Sequence, residues 1–125
     1  MSEFLFKREA YQIIGLCMEV HRILGNGFSE FVYKDAMMIE ARLREFALVR
    51  EKKFEIVYKE QVLPHQFFAD FVFFDEIIVE IKAIDKDIND ECIAQTLNYL
   101  KVSDCRVGLI INFGRKSLEY RRLIF

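Results

Sequence analysis

Apolar residues recur at Ala10, Ile13, Ile14, Cys17, Val20 and Leu24, steps of three and four that predict an amphipathic helix over 7–24. Gly25-Asn26-Gly27 stops it, because two glycines supply the positive φ that a helix end uses. A second helix is expected from about 29 to 45, with Ser29 as N-cap and Val32, Ala36, Ile39 and Leu43 as its buried stripe. The period then drops to two. Over 49–58, Phe54, Ile56 and Tyr58 alternate with Lys53, Glu55 and Val57, and Lys59-Glu60-Gln61 reads as a turn. Segments 62–74 and 77–84 are the next strands, joined through Asp75-Glu76 into an antiparallel meander. The polar run 85–90 leads to a helix capped by Asn89 or Asp90, reaching about Val102, with Ile93, Leu97 and Leu100 facing inward. A buried strand over 105–112 and an edge strand over 117–125 complete the order α-α-β-β-β-α-β-β. Three strands in meander and a helical crossover to a fourth indicate an α/β chain, specifically an α+β mixed sheet flanked by helices.

Composition narrows the class without choosing a function. The 125 residues suit a single domain, 1–125, and 53% hydrophobic with 30% charged residues is a globular balance. Thirteen Phe and no Trp foretell a Phe-rich core. A net charge of −2 provides no global basic field for nucleic acid or anionic membrane. Cys17, Cys92 and Cys105 are odd in number and lack C-x-x-C spacing, so reduced core thiols are expected over a disulfide framework or a zinc site. Charges interrupt the apolar residues of MSEFLFKREA, which therefore does not read as a signal peptide, and no run is long enough for a membrane span. A cytoplasmic location is expected.

The chemistry is concentrated in FADFVFFDEIIVEIKA, where Asp70, Glu80 and Lys82 interrupt a nearly continuous apolar stretch. Alternation puts Glu80 and Lys82 on one face of their strand. If Asp75-Glu76 forms the hairpin turn, Asp70 lies opposite or nearly opposite Glu80. Burying such charges is costly unless they are paired or bind a metal. Two carboxylates are suitable ligands for a hard divalent ion such as Mg²⁺, and a neighbouring lysine can orient water or stabilise phosphate charge. The bland alternative is a Glu80–Lys82 ion pair on a half-exposed strand, worth about 0–1 kcal/mol.

D-x9-E-x-K on a strand pair resembles the PD-(D/E)XK nuclease superfamily. The run His21-Arg22-Ile23-Leu24-Gly25-Asn26-Gly27-Phe28-Ser29-Glu30-Phe31-Val32-Tyr33, with Ala69-Asp70, Glu80-Ile81-Lys82-Ala83, Gln95, Tyr99-Leu100 and Ile111-Asn112-Phe113, is similar to its GxxExxR group. Ala69 replaces the name-giving proline, and Tyr33 replaces the final arginine of the group's label. The resemblance implies a restriction-endonuclease-like αβββαβ core with an extra N-terminal helix. It also implies a nuclease hydrolysing phosphodiesters of DNA or RNA with Mg²⁺ (or Mn²⁺). Asp70 and Glu80 would then be metal ligands and Lys82 the catalytic base or water-orienting group. Glu30 would approach from its helix and assist catalysis by binding through metal or water, and Gln95 would orient Lys82 or contact phosphate. His21 near Glu30 reads more simply as a helix-end histidine, and Tyr99 as a packing residue. Arg42, Arg44, Lys52 and Lys53 are candidates for a phosphate-binding edge, with solvated charge as the default. A homodimer is expected from the sheet edge and the apolar C-terminus. The alternative to an enzyme is a non-catalytic nucleic-acid- or protein-binding module on the same fold.

Overall fold

The computed structural model describes residues 5–125. Its elements are α1 (Lys7–Leu24), α2 (Glu30–Arg44), β1 (Leu48–Tyr58), β2 (Gln61–Phe73), β3 (Ile77–Lys82), α3 (Asp90–Ser103), β4 (Val107–Asn112) and β5 (Glu119–Ile124). The five strands form one sheet in the order β1-β2-β3-β4-β5. Only β3 and β4 run parallel, because α3 carries the chain back between them; the other neighbours are antiparallel. This is the mixed sheet expected from the sequence, with the helices in two layers.

Alternation along the central strands divides the core. Phe71, Phe73, Ile77, Val79, Ile81, Leu109 and Ile111 join Ile13, Leu16 and Cys17 of α1 and Tyr33 and Met37 of α2. On the opposite face Val72 and Ile78 meet Leu100 of α3, together with Cys105. Gly108 lies beneath α3, where a Cβ would come within 3.2 Å of the Thr96 methyl and 3.4 Å of Leu100. The missing side chain lets the helix close on the sheet. Cys17 and Cys105 are buried free thiols, while Cys92 is only partly buried. None of the described helices is long and apolar enough to cross a membrane.

Local chemistry explains most boundaries. Gly25 (φ 70°) and Gly27 (φ 111°) take the left-handed backbone between α1 and α2. Asn89 caps α3 by accepting the Cys92 N–H at 2.9 Å. Ser29 occupies the N-cap of α2 without a side-chain hydrogen bond. The β2–β3 connection begins one residue earlier than expected, with Phe74 and Asp75 both at positive φ and the Glu76 N–H donating to Phe73 O at 3.0 Å.

The buried face of α2 differs from the expected stripe. Ile39 is 56% exposed and Leu43 73%, and Val32 is also open to solvent. The helix instead buries Tyr33, Lys34, Met37 and Ala41. Both rows have helical spacing; Tyr33, Met37 and Ala41 lie fully in the core with Ala36 partly buried against it, and Lys34 is accommodated on that side because Asp70 and Glu51 pair with it.

β1 and β2 change layers midway. Leu48 packs into the first core and Phe54 into the second, although both have the same parity along β1. Phe71 and Ala69 divide in the same way on β2. The changeover falls at Glu51 and Asp70, which the flanking pairs Arg50↔Phe71 and Lys52↔Ala69 bring opposite one another. Glu51 has φ 54°, a left-handed backbone that a non-glycine residue adopts rarely and at a cost.

Candidate functional site

Backbone pairing between β2 and β3 runs from Phe73↔Ile77 through Val72↔Ile78 to Phe71↔Val79 and goes no further. The next pair in that register is Asp70 and Glu80, one position away from the Asp70–Ile81 pairing that a two-residue turn at Asp75-Glu76 would give. Here side chains replace the ladder. The Asp70 N–H donates to Glu80 Oε2 at 2.8 Å, and the Ile81 N–H donates to Asp70 Oδ2 at 2.8 Å. Each carboxylate is held by the other strand's backbone, and the two acids sit at the mouth of the opening.

Glu80 is 8% exposed. Burial pushes its carboxyl up to about 8, the negative charge of Asp70 adds to the shift, and the Asp70 N–H, Lys82 and Lys34 oppose it. Glu30 is raised in the same direction, by burial first and then by Asp70, with Lys82 and Lys34 pulling the other way. Glu30 therefore belongs to the same electrostatic cluster. Tyr99 borders it as well: burial, then the charges of Glu80 and Asp70, raise its phenol. Its ring stacks on Phe67 at 4.0 Å and 3°, the packing role expected for it.

The lysine ion-paired to these acids is Lys34, which the sequence did not single out. Its Nζ lies 2.6 Å from Asp70 Oδ1 and 3.0 Å from Glu51 Oε1. Burial alone would lower its pKa, but the hydrogen bonds and attraction of Asp70 and Glu51 outweigh burial and raise it. Lys82 forms no ion pair with any described residue, so the bland Glu80–Lys82 pair does not form. Its charge is nonetheless felt by both Glu30 and Glu80. Lys82 lines an open cleft of about 450 Å³ together with Gln95, Glu91, Cys92, Ala94 and Asn98.

The backbone just beyond Lys82 is fixed by Asn112, its partner on β4. The Asn112 Nδ2 donates to Ile84 O at 3.1 Å and Lys86 O at 3.0 Å, and its Oδ1 accepts the N–H groups of Ile84 and Gly114, each at 3.0 Å. A Cβ on Gly114 would collide with the backbone of Ile84, so glycine is required for that close approach.

Other candidates serve the scaffold. His21 Nε2 lies 2.8 Å from Arg115 O, a more specific contact than a helix-end interaction. The Tyr33 hydroxyl donates to Gly25 O at 2.6 Å and accepts the Phe28 N–H at 3.2 Å, tying down the turn that precedes Glu30. Its ring stacks on Phe113 at 4.4 Å. Arg44 pairs with Glu40, and Lys52 lies over the Phe54 ring.

Among the described residues no three His, Cys, Asp or Glu side chains converge as a ready metal cluster. Two facing carboxylates still suit a Mg²⁺-like ion, which takes one or two carboxylates and completes its shell with water and phosphate oxygens. They would not suit a metal that needs an all-protein cage. A buried acid raised by its neighbour's charge is also the condition that a bound cation relieves.

Residues 7–123 match the family model of the PD-(D/E)XK nuclease superfamily. No curated protein and no solved structure matches the chain.

Proposed function

The chain belongs to the PD-(D/E)XK nuclease superfamily, and from that premise we propose that it hydrolyses nucleic-acid phosphodiester bonds with the help of Mg²⁺ or Mn²⁺. The supporting observation is the facing pair Asp70 and Glu80 where the β2–β3 ladder opens, with Lys82 beside them and outside any described ion pair. Nucleases of this superfamily generally use divalent metals. In the proposed site Asp70 and Glu80 hold the ion, and Glu30 assists from α2 through the ion or a water. When bound, the ion supplies Lewis-acid polarisation of the phosphate and lowers the pKa of water.

The remaining roles fall to this chain's own groups. Lys82 shares a strand face with Glu80, and its ammonium is available to orient the attacking water and offset charge building on the phosphate. Gln95, across the cleft, steadies Lys82 or contacts a phosphate oxygen. Asn112 keeps the chain after Lys82 from shifting. Within the superfamily the 21–33 pattern supports the GxxExxR group, and its Glu30 feels the charges of Asp70, Lys82 and Lys34.

One observation favours the second reading, a binding module without cleavage: Lys34 already neutralises Asp70 without a metal. A cleavage panel separates the two. Single-stranded, duplex and branched DNA, and RNA, are incubated with Mg²⁺, Mn²⁺ or chelator. Cleavage of any member that chelator abolishes is the expected result. Binding without cleavage in every case would transfer the proposal to the binding module.

A further inference from the structure

We infer that Lys34 is a built-in counter-cation of the acid pair, competing with the divalent ion for Asp70 and thereby setting how tightly that ion binds. This deepens the metal-site reading and rests on it. Lys34 is 5% exposed, and lysine is rarely so buried without partners. It has two. Asp70 Oδ1 at 2.6 Å and Glu51 Oε1 at 3.0 Å grip its ammonium from neighbouring strands, and the Phe31 ring lies 5.5 Å away.

Both oxygens of Asp70 are thereby engaged. Oδ2 receives the Ile81 N–H and Oδ1 receives Lys34. An ion arriving between Asp70 and Glu80 must share Oδ1 with the ammonium or displace it. Glu51 gives the displaced ammonium a place to remain, since its carboxylate already holds Lys34 and its own side chain is 46% exposed. The left-handed backbone of Glu51, directly across β1–β2 from Asp70, puts that second acid within reach. Lys34 thus sits on a two-acid rail, with Asp70 at one end and Glu51 at the other. Glu30, one helical turn earlier on α2, feels the charges of both Asp70 and Lys34.

The two ends of the rail give opposite predictions. Removing the ammonium leaves Asp70 to the metal alone and deepens the negative potential that attracts it. Removing the Glu51 charge leaves Lys34 bound to Asp70 alone, a stronger competitor. A scaffold role for the pair would predict loss of metal binding in both cases.

The test is calorimetric titration of Mn²⁺ into the full chain, with folding of each variant checked by circular dichroism. Lys34→Met, which keeps the buried volume, should bind Mn²⁺ about tenfold more tightly, the order expected for one nearby charge in a partly wet site. Lys34→Arg keeps the charge and should remain close to wild type. Glu51→Gln should bind several-fold more weakly; it alters a half-exposed side chain, so it keeps the test alive should Lys34→Met fail to fold. Wild-type binding with Lys34→Met equal or weaker, or with Glu51→Gln equal or tighter, overturns the competition while sparing the metal site. A wild-type protein that binds no Mn²⁺ removes both.

Discussion

Replacing Lys82 with alanine is expected to abolish divalent-dependent cleavage while leaving metal binding nearly intact. A side chain that positions or activates the attacking water is worth about 10²–10⁴-fold in rate. Lys82 lies two positions beyond Glu80 on β3 and shares its face, but an ammonium cannot coordinate a hard cation. It is also held by no described ion pair, so its removal leaves no buried acid newly unpartnered. Glu80→Ala should lose both cleavage and metal binding, because it removes a proposed ligand and the acceptor for the Asp70 N–H. Initial rates on whichever substrate the panel identifies, set beside Mn²⁺ affinities for the two variants, check the asymmetry. A Lys82→Ala enzyme cutting near the wild-type rate would remove the lysine from the mechanism.

The second large effect is on stability. Glu80 has a folded-state carboxyl near 8 against an ordinary 4.5, raised by burial and by Asp70. Between those values the folded state keeps a proton that the unfolded state has released, so this group makes stability fall as pH rises from about 4.5 to about 8. The loss is fully developed above the folded value and absent below the unfolded one. Its size is on the order of 3–5 kcal/mol before other groups are counted. Glu80→Gln has no such titration, and its amide oxygen can still accept the Asp70 N–H. The metal-free variant should therefore melt higher than wild type at pH 8 and converge with it near pH 4. It should also lose the stabilisation that saturating metal gives wild type, about 2.7 kcal/mol at a hundredfold excess over Kd. Denaturant melts across pH 4–9 with chelator present, repeated with Mn²⁺, measure both. Parallel pH curves for the two proteins would contradict a raised Glu80 carboxyl in the folded state.

Much of this arrangement was legible in the sequence, for identifiable reasons. α1 announces itself because one apolar stripe is available to it, and the strands because their period changes abruptly at Val49. A turn at Asp75-Glu76 brought Asp70 within one position of Glu80; the extra turn residue Phe74, which makes Phe73 pair with Ile77, shifts the register by one and sets the two acids opposite each other. Gln95 and Lys82 line one cleft because they lie on α3 and β3, whose order and packing the apolar pattern indicated.

The inward face of α2 was not legible. Val32, Ala36, Ile39 and Leu43 form a more apolar row than Tyr33, Lys34, Met37 and Ala41, so a hydrophobic criterion selects it, yet of that row only Ala36 packs against the core. Lys34 goes inside because carboxylates from β1 and β2 wait for it, and those partners are 17 and 36 residues away in sequence. Glu51 was hidden for a different reason. Nothing about a glutamate within an alternating strand announces a left-handed backbone, yet that residue marks where the hairpin changes layers beside Asp70. The only signal available was an excess of charge at 50–53, which reads equally well as an exposed strand.

If Asp70 and Glu80 form a divalent-cation site, Mn²⁺ titrated into wild type and into Asp70→Asn will tell the two proteins apart. The substitution keeps the shape and leaves an oxygen able to accept the Ile81 N–H, while removing the charge. Saturable binding by wild type that is lost in Asp70→Asn is the predicted result. Equal binding by both proteins, or no binding by wild type, would contradict the account.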